Sequence, residues 1–454
     1  MILWNVYQQL VELFVSSMLI LFYGFYIFGT GVAQDLSHSM VQNYETDVTH
    51  PKDDDDMPPI VFVHGFFGFG SFGKRRLNAL SHFVERKNKQ RRVLVPDFGC
   101  LTSIYDRARE MFYYLKGGQV DYGEEHSKAC GHSQFGQIYE RGFYPKWDED
   151  HPVHFVGHSA GAQVIRVLQQ MLADKAFKGY ENTTENWVLS ITSLSGAING
   201  TTRTYLDGMR PEDGRKLKPI CLLQLCRIGV IMNEWVDISW LKKYQNFGLD
   251  HFNMSWRKMG LRGLVNCLLD NVGPFASEDW ILPDLTIQGS IKINNYINTF
   301  PNTYYFSYAI KRTWKIMGNT VHSCKLRIHP LLFLRVLQMS QWCCSSQGSL
   351  PYKGYRNEDW QESDGEINTI SMTHPRFPIE HPSHLVEQDS DYETLQPGIW
   401  YIYMYYKLVE GDHIAFVVNR EKEEGPFDLI YDTIFERCRK LVFRKKFVTL
   451  PNQV

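Results

Sequence analysis

The sequence predicts an α/β fold, a mainly parallel central sheet flanked by helices, and three observations carry that expectation. Short apolar runs alternate with helical stretches from residue 58 onward, the pattern of repeated βαβ units. The pentapeptide Gly157-His158-Ser159-Ala160-Gly161 falls where the apolar run VHFVGHS meets the helical pattern AGAQVIRVLQQMLADKAF. The glycine-rich His64-Gly65-Phe66-Phe67-Gly68 closes the first apolar run, PIVFVHG. RRVLVPD and WVLSITSLSG supply further strands, and TYYFSYA and INTISM extend the sheet later in the chain.

Composition fits a folded chain of 454 residues, 44% hydrophobic and 22% charged. The formal net charge of -2 lacks the basic excess of a nucleic-acid footprint, so no nucleic-acid partner is expected. The aromatic share of 14% suits both a large core and an apolar cleft. The nine cysteines are odd in number and form no CxxC pair, which points to buried apolar thiols rather than a zinc ribbon or redox motif. Sequons stand at Asn182, Asn199 and Asn253. Nothing fixes the oligomeric state.

The N-terminus is uncharged from Leu13 to Ala33 and mostly apolar, long enough to cross a hydrocarbon core as a helix. A cleaved signal peptide is a rival reading, with Gly31 and Ala33 as a small-residue site, although the preceding residues lack Lys and Arg. An interfacial segment is another, because Gly24, Gly29 and Gly31 weaken a helix. Residues 1–34 are therefore expected to be a transmembrane or membrane-embedded anchor, making the protein membrane-associated. Sparse flanking charge leaves the orientation open. Residues 35–57 form an acidic linker ending in Asp53, Asp54, Asp55 and Asp56. The folded domain is expected over 58–450. At about 205–283 a helical insertion interrupts the alternation, as a cap or lid. Its apolar stretch from Pro219 to Trp240 is a candidate flap, costly if permanently exposed, or else a fixed core helix.

GxSxG makes Ser159 the candidate nucleophile. A nucleophilic serine must stand clear of the sheet on a tight strand-to-helix turn, where flanking side chains would collide. The following helix N-terminus offers free N–H groups to an oxyanion. The natural donor pair is the backbone N–H of Phe66, in the glycine-rich loop, and that of Ala160.

Four stretches together resemble the zinc-containing lipases of thermophilic bacteria, and more closely their plant lipase-like relatives. They are PPIVFVHGFFGFG, SIYDRAREMFYYLKGGQVDYGEEHSKACGHSQFG, HFVGHSAGAQ and NEDWQESDGEINTISM. The resemblance implies an α/β-hydrolase fold with a helical lid, and hydrolysis of acylglycerol esters. It assigns the acid of a triad to Asp364, within Glu362-Ser363-Asp364-Gly365-Glu366-Ile367-Asn368, and the base to His413, within Glu410-Gly411-Asp412-His413. Sixteen histidines would not allow that choice by counting. Asp412 is a rival acid, disfavoured because it adjoins His413 in the chain.

The same resemblance aligns Asp106, His126, His132 and Asp250 with four ligands of a structural zinc ion. Two carboxylates and two neutral imidazoles suit tetrahedral zinc, although the spacing alone would be read as surface histidines. The departures also count. Bacterial relatives bind calcium beside the catalytic histidine, but the corresponding positions here are Ala415 and Arg420, so no calcium is expected. Residues from about Val321 to Gly348 diverge as well, so substrate range does not transfer. The expected activity is a membrane-associated, triacylglycerol lipase-like carboxylester hydrolase working through an acyl-enzyme. A phospholipase, galactolipase or acyltransferase shares that chemistry, and an inactive membrane scaffold is the non-enzymatic alternative.

Overall fold

The computed structural model describes residues 57–65, 93–96, 98–238, 247–310, 313–316, 319–322, 330–344, 350–386, 395–404, 413–416 and 426–448. The expected anchor at 1–34, nearly all of the acidic linker, Phe66, Asp412 and Arg420 lie outside them. Among the described residues no helix is long and apolar enough to cross a membrane.

Seven strands form the main sheet: β1 (Ile60–Val63), β2 (Val93–Leu94), β5 (Val153–His158), β6 (Val188–Leu194), β7 (Tyr304–Ala309), β10 (Ser383–Val386) and β11 (Trp400–Met404). Two antiparallel hairpins stand apart, β3 (Gly118–Asp121) with β4 (Phe135–Tyr139), and β8 (Thr313–Ile316) with β9 (Asn319–His322). The sheet order is β10-β11-β7-β6-β5-β1-β2, and every pairing in it is parallel. Parallel strands are covered on both faces and so read as unbroken apolar runs. β1, β5 and β6 are buried at every residue.

Alternate side chains of those runs go to different layers. Val61, Val63, Phe155 and Ile191 pack with Met111, Phe112, Ile165 and Leu168 from helices Ile104–Lys116 and Gly161–Ala173. Ile60, Phe62, Val156 and Phe306 pack on the other face with Ile430, Tyr431, Ile434 and Phe435, from helix Pro426–Val448. From β1 the chain runs outward to β2, then returns to add β5 on the opposite side of β1. The loops leaving β1 and β5 therefore diverge at a topological switch point, where open parallel sheets form their ligand crevice.

INTISM is not a strand. Thr369–Thr373 is a short helix whose Ser371 backbone carbonyl and hydroxyl accept the N–H groups of Ile198 and Asn199. A brief apolar run carries too little periodicity to separate a strand from a buried helical turn.

Between β6 and β7 come helices Arg203–Asp207, Leu222–Val236, Trp256–Leu268, Pro274–Ser277, Ile281–Leu285 and Ile287–Asn294. Leu222–Val236 is apolar on two faces. Leu222, Leu223, Val230 and Ile231 are buried, while Leu225, Ile228, Met232 and Val236 are exposed. Its buried Arg227 donates to the Cys267 and Leu268 carbonyls and pairs with Asp270 at 2.9 Å. A cation there suits the carboxyl end of helix Trp256–Leu268.

Two sequons are committed to internal contacts. Asn199 is fully buried and its amide nitrogen donates to the His374 carbonyl, while that of Asn253 donates to Ser133 Oγ at 2.7 Å. Asn182 is exposed. Cys100, Cys221, Cys267, Cys344 and Cys438 are buried, and Cys226 and Cys343 are exposed.

Candidate active site

Ser159 leaves the end of β5 at φ 57°, the left-handed region that a non-glycine residue adopts only under constraint. Its N–H donates to the Leu194 carbonyl at 3.0 Å, and its carbonyl accepts the Ala197 N–H at 3.1 Å. Neighbouring glycines make the turn possible. A Cβ on Gly161 would sit 2.2 Å from the Val63 carbonyl oxygen, and one on Gly65 would sit 2.7 Å from Ser159 Cβ. Gly65 thus lies directly against the serine. Helix Gly161–Ala173 begins immediately, with Ala160 at its N-cap, so the helix N-terminus lies beside Ser159 and favours negative charge there.

Asp364 and His413 meet across 49 residues of chain, with His413 Nδ1 2.7 Å from Asp364 Oδ2. The other oxygen, Oδ1, accepts the N–H groups of Glu366 at 3.0 Å and Ile367 at 2.8 Å. Burial pushes the Asp364 carboxyl up, but His413 and these donors more than offset it, and its pKa is lowered. The carboxylate is therefore ionised and favours the tautomer with the proton on His413 Nδ1, which leaves Nε2 unprotonated. Arg203 clamps the acid's loop from outside, donating to Glu366 Oε1 at 2.8 Å and the Gly365 carbonyl at 3.3 Å.

Three residues to which the sequence assigned no role support this arrangement. His158 Nε2 lies 3.0 Å from the His413 carbonyl oxygen. Burial and the neighbouring His413 hold its pKa down to about 3, so it is neutral and donates its single proton to that carbonyl. His64 is likewise held neutral, at about 4, by burial and Arg107, with Nδ1 3.0 Å from the Gly65 carbonyl oxygen. Arg107, fully buried, donates to three carbonyls: Gly65 at 3.1 Å, Thr102 at 3.1 Å and Cys100 at 2.6 Å. It thereby anchors the Gly65 carbonyl. Only the GxSxG context hinted at His158, and a buried arginine leaves no sequence signature at all.

A second cluster gathers around Asp106, in the first turn of helix Ile104–Lys116. Asp106 Oδ1 is 3.2 Å from His126 Nε2, and its Oδ2 is 3.2 Å from His251 Nε2. Asp279 Oδ2 is 3.2 Å from His132 Nε2 and 3.5 Å from His126 Nε2. The structure thus brings Asp106, His126 and His132 together. It does not bring Asp250 to them, and Asp279 holds the position expected for it. Asp250 opens a 3-10 turn, Asp250–Phe252, that leaves it exposed and turns the adjacent His251 inward.

All these inward atoms, two carboxylates and three imidazole nitrogens, are buried without a hydrogen bond of normal geometry among the described residues. Polar atoms are not normally left so in a core. Burial lowers the His126 and His132 pKa values, but Asp106 and Asp279 push them back up, to about 12 and about 10. The carboxylates thus call for positive charge, which a proton or a cation can supply. The donor set and its closeness, with Asp106, His132, His251 and Asp279 all within 4.8 Å of one another, fit a small divalent ion. His132 Nδ1 lies 2.9 Å from the Ser133 carbonyl oxygen, the support that orients a ligating imidazole.

The sequence matches a family model described as lipase-like, C-terminal domain, over residues 56–218. It is 29% identical over 400 residues to a lipase of Staphylococcus hyicus, covering 82% of this chain and 55% of that protein. It is 27% identical over 387 residues to lipase 2 of Staphylococcus aureus, covering 79% and 50%. The chain thus spans about half the length of these relatives. The solved structure of S. hyicus lipase superposes with a TM-score of 0.68 at 25% identity, covering 88% of this chain and all of that one. EstA from Clostridium botulinum shares the fold, with a TM-score of 0.59 at 23% identity over 88% and 92%. From β1 through the Ser159 elbow the chain is lipase-like in sequence, and across most of its length it shares the fold of S. hyicus lipase.

Proposed function

We propose that this protein is a serine carboxylester hydrolase acting on lipid esters through the triad Ser159, His413 and Asp364. The observation that carries it is a constrained serine at the sheet's switch point, on the strand whose last residue holds the backbone of an aspartate-paired histidine. His413 Nε2 takes the Ser159 hydroxyl proton as Oγ attacks the ester carbonyl, and Asp364 stabilises the imidazolium. Negative charge on the carbonyl oxygen is met by the N–H groups of Ala160 and Phe66. The proton then passes to the leaving alcohol, and water releases the acid from Ser159 by the same route. Lipase-like relatives make a triacylglycerol-type ester the leading substrate. Phospholipid and galactolipid hydrolysis, or transfer to another alcohol, would use the same steps.

Membrane association through residues 1–34 belongs to this reading. So does a lid: the exposed apolar face of Leu222–Val236 suits contact with a lipid surface. The kinship with zinc-containing and plant lipase-like proteins also belongs here, supported by the cluster of Asp106, His126, His132 and Asp279. Those four would hold zinc as a structural ion, neutralising the buried carboxylates and tying helix Ile104–Lys116 to the insertion that carries Asp279.

The test is a fluorophosphonate probe followed by a panel of tri-, di-, phospho- and galactolipid substrates. Wild type is expected to be labelled and to release fatty acid, and Ser159→Ala to do neither, with turnover down about 10⁶-fold. Unlabelled and inactive wild type overturns the assignment in favour of the scaffold reading, and a fully active Ser159→Ala removes Ser159 as the nucleophile.

A further inference from the structure

We propose that Cys130 supplies a thiolate ligand to the cation, joining His126, His132 and Asp279 in place of Asp106. The inference rests on the metal reading above and adds to it a sulfur donor. Helix Glu124–Cys130 puts His126 and Cys130 four residues apart, one above the other on the same face. Gly131 ends the helix at φ 74°, and the reversal brings His132 back alongside. His126, Cys130, His132 and Asp279 each offer a donor atom, and these all lie within 4.8 Å of one another.

His126 stands between Asp106 and Cys130. Its Nε2 faces Asp106 and Asp279, and its Nδ1 faces Cys130 Sγ at 3.9 Å. An imidazole gives one nitrogen to an ion, so what a single tetrahedral ion would draw in is the 4.8 Å span of the four donor atoms, not the Nδ1–Sγ gap alone. The site is built independently of the cysteine, since Asp279 Oδ2 and His132 Nε2 are buried and lack a normal hydrogen bond.

The charge balances. One thiolate, one carboxylate and two neutral imidazoles neutralise a divalent ion. Ligation breaks the S–H bond, forms the S–metal bond and releases one proton to solvent. A sulfur donor selects zinc, cobalt or cadmium over calcium and magnesium. It also exposes the site to thiol-directed chemistry, because Cys130 is only partly buried.

The experiment loads the full-length protein with Co²⁺ and records its absorption beside that of Cys130→Ser. Wild type is expected to show a thiolate-to-cobalt charge-transfer band in the near ultraviolet. Cys130→Ser should lose that band while keeping the visible d–d bands of bound cobalt. Zinc loading should also slow iodoacetamide alkylation of Cys130, followed by peptide mass spectrometry, about tenfold, because only the free thiolate reacts. Bound cobalt without a charge-transfer band, or a band that survives in Cys130→Ser, sinks the thiolate and leaves the carboxylate-rich site standing. Equal alkylation rates with and without zinc do the same. A wild-type protein that binds neither ion overturns both readings.

Discussion

Asp364 and Asp279 are both buried acids facing histidine, but their surroundings differ. Both oxygens of Asp364 have good partners, two backbone N–H groups on one and His413 on the other. Asp279 Oδ2 meets two imidazole nitrogens at 3.2 and 3.5 Å, none in a normal hydrogen bond, with Asp106 in the same condition alongside. The first arrangement is complete in the polypeptide, because fixed donors hold the charge where the chemistry needs it. The second calls for added positive charge, which protonated imidazoles or a cation can supply. A saturated polar network orients its members unaided, whereas an unsaturated one calls for a further partner, a proton, a water or an ion.

The largest effect that would break this comparison is expected at Asp364. Asp364→Asn keeps the shape but loses the charge that sets the His413 tautomer, so turnover should fall about 10⁴-fold with the fold intact by circular dichroism. The lowered pKa of Asp364 also has a sign for stability. Its ionised form contributes fully above the unfolded carboxyl pKa of about 3.9 and less as pH falls through the lower folded value. An acid-unfolding profile of Asp364→Asn should lack that component. Undiminished turnover would remove Asp364 from the triad.

At the other cluster the expected effect is on stability. With the proposed ion bound, removing it by chelation, or removing the Asp279 carboxylate in Asp279→Ala, would leave buried charge unpaired. That is worth about 3–5 kcal/mol, or a melting temperature lower by about 5–10 °C. Asp250→Ala, at an exposed position, should keep the metal content of wild type by elemental analysis. Metal lost in Asp250→Ala and retained in Asp279→Ala would reverse the assignment.

The smallest effect is expected where the two regions adjoin. Arg107 follows Asp106 in the chain, yet it holds the Gly65 carbonyl beside Ser159. Arg107→Lys cannot span three carbonyls with one ammonium. It should lower kcat about tenfold by loosening the oxyanion loop, with KM and metal content near wild type. A change confined to thermal stability, with kcat untouched, would make Arg107 merely structural.

How much of this was legible follows the same division. The elbow could be read directly, because a strand, two glycines and a helix in contiguous sequence force Ser159 into place. Asp364 and His413 needed the resemblance, since sixteen histidines offer no local distinction. INTISM was misread because its burial, which decides its conformation, comes from contacts with Ile198 and Asn199 far away in the chain.

By itself, then, the sequence determined the parallel sheet and the candidate nucleophile, features written in local pattern or contiguous motif, whereas Asp106, His126 and His132 were singled out only by the resemblance. Tertiary structure alone decided that Asp279 rather than Asp250 faces the histidines, that His251 and Cys130 stand among them, and that His158 and Arg107 hold the catalytic loops. The physical reason is that inward and outward acids have the same chemistry in sequence. Only the turn geometry of the insertion, packed against helix Ile104–Lys116, selects which carboxylate loses its water.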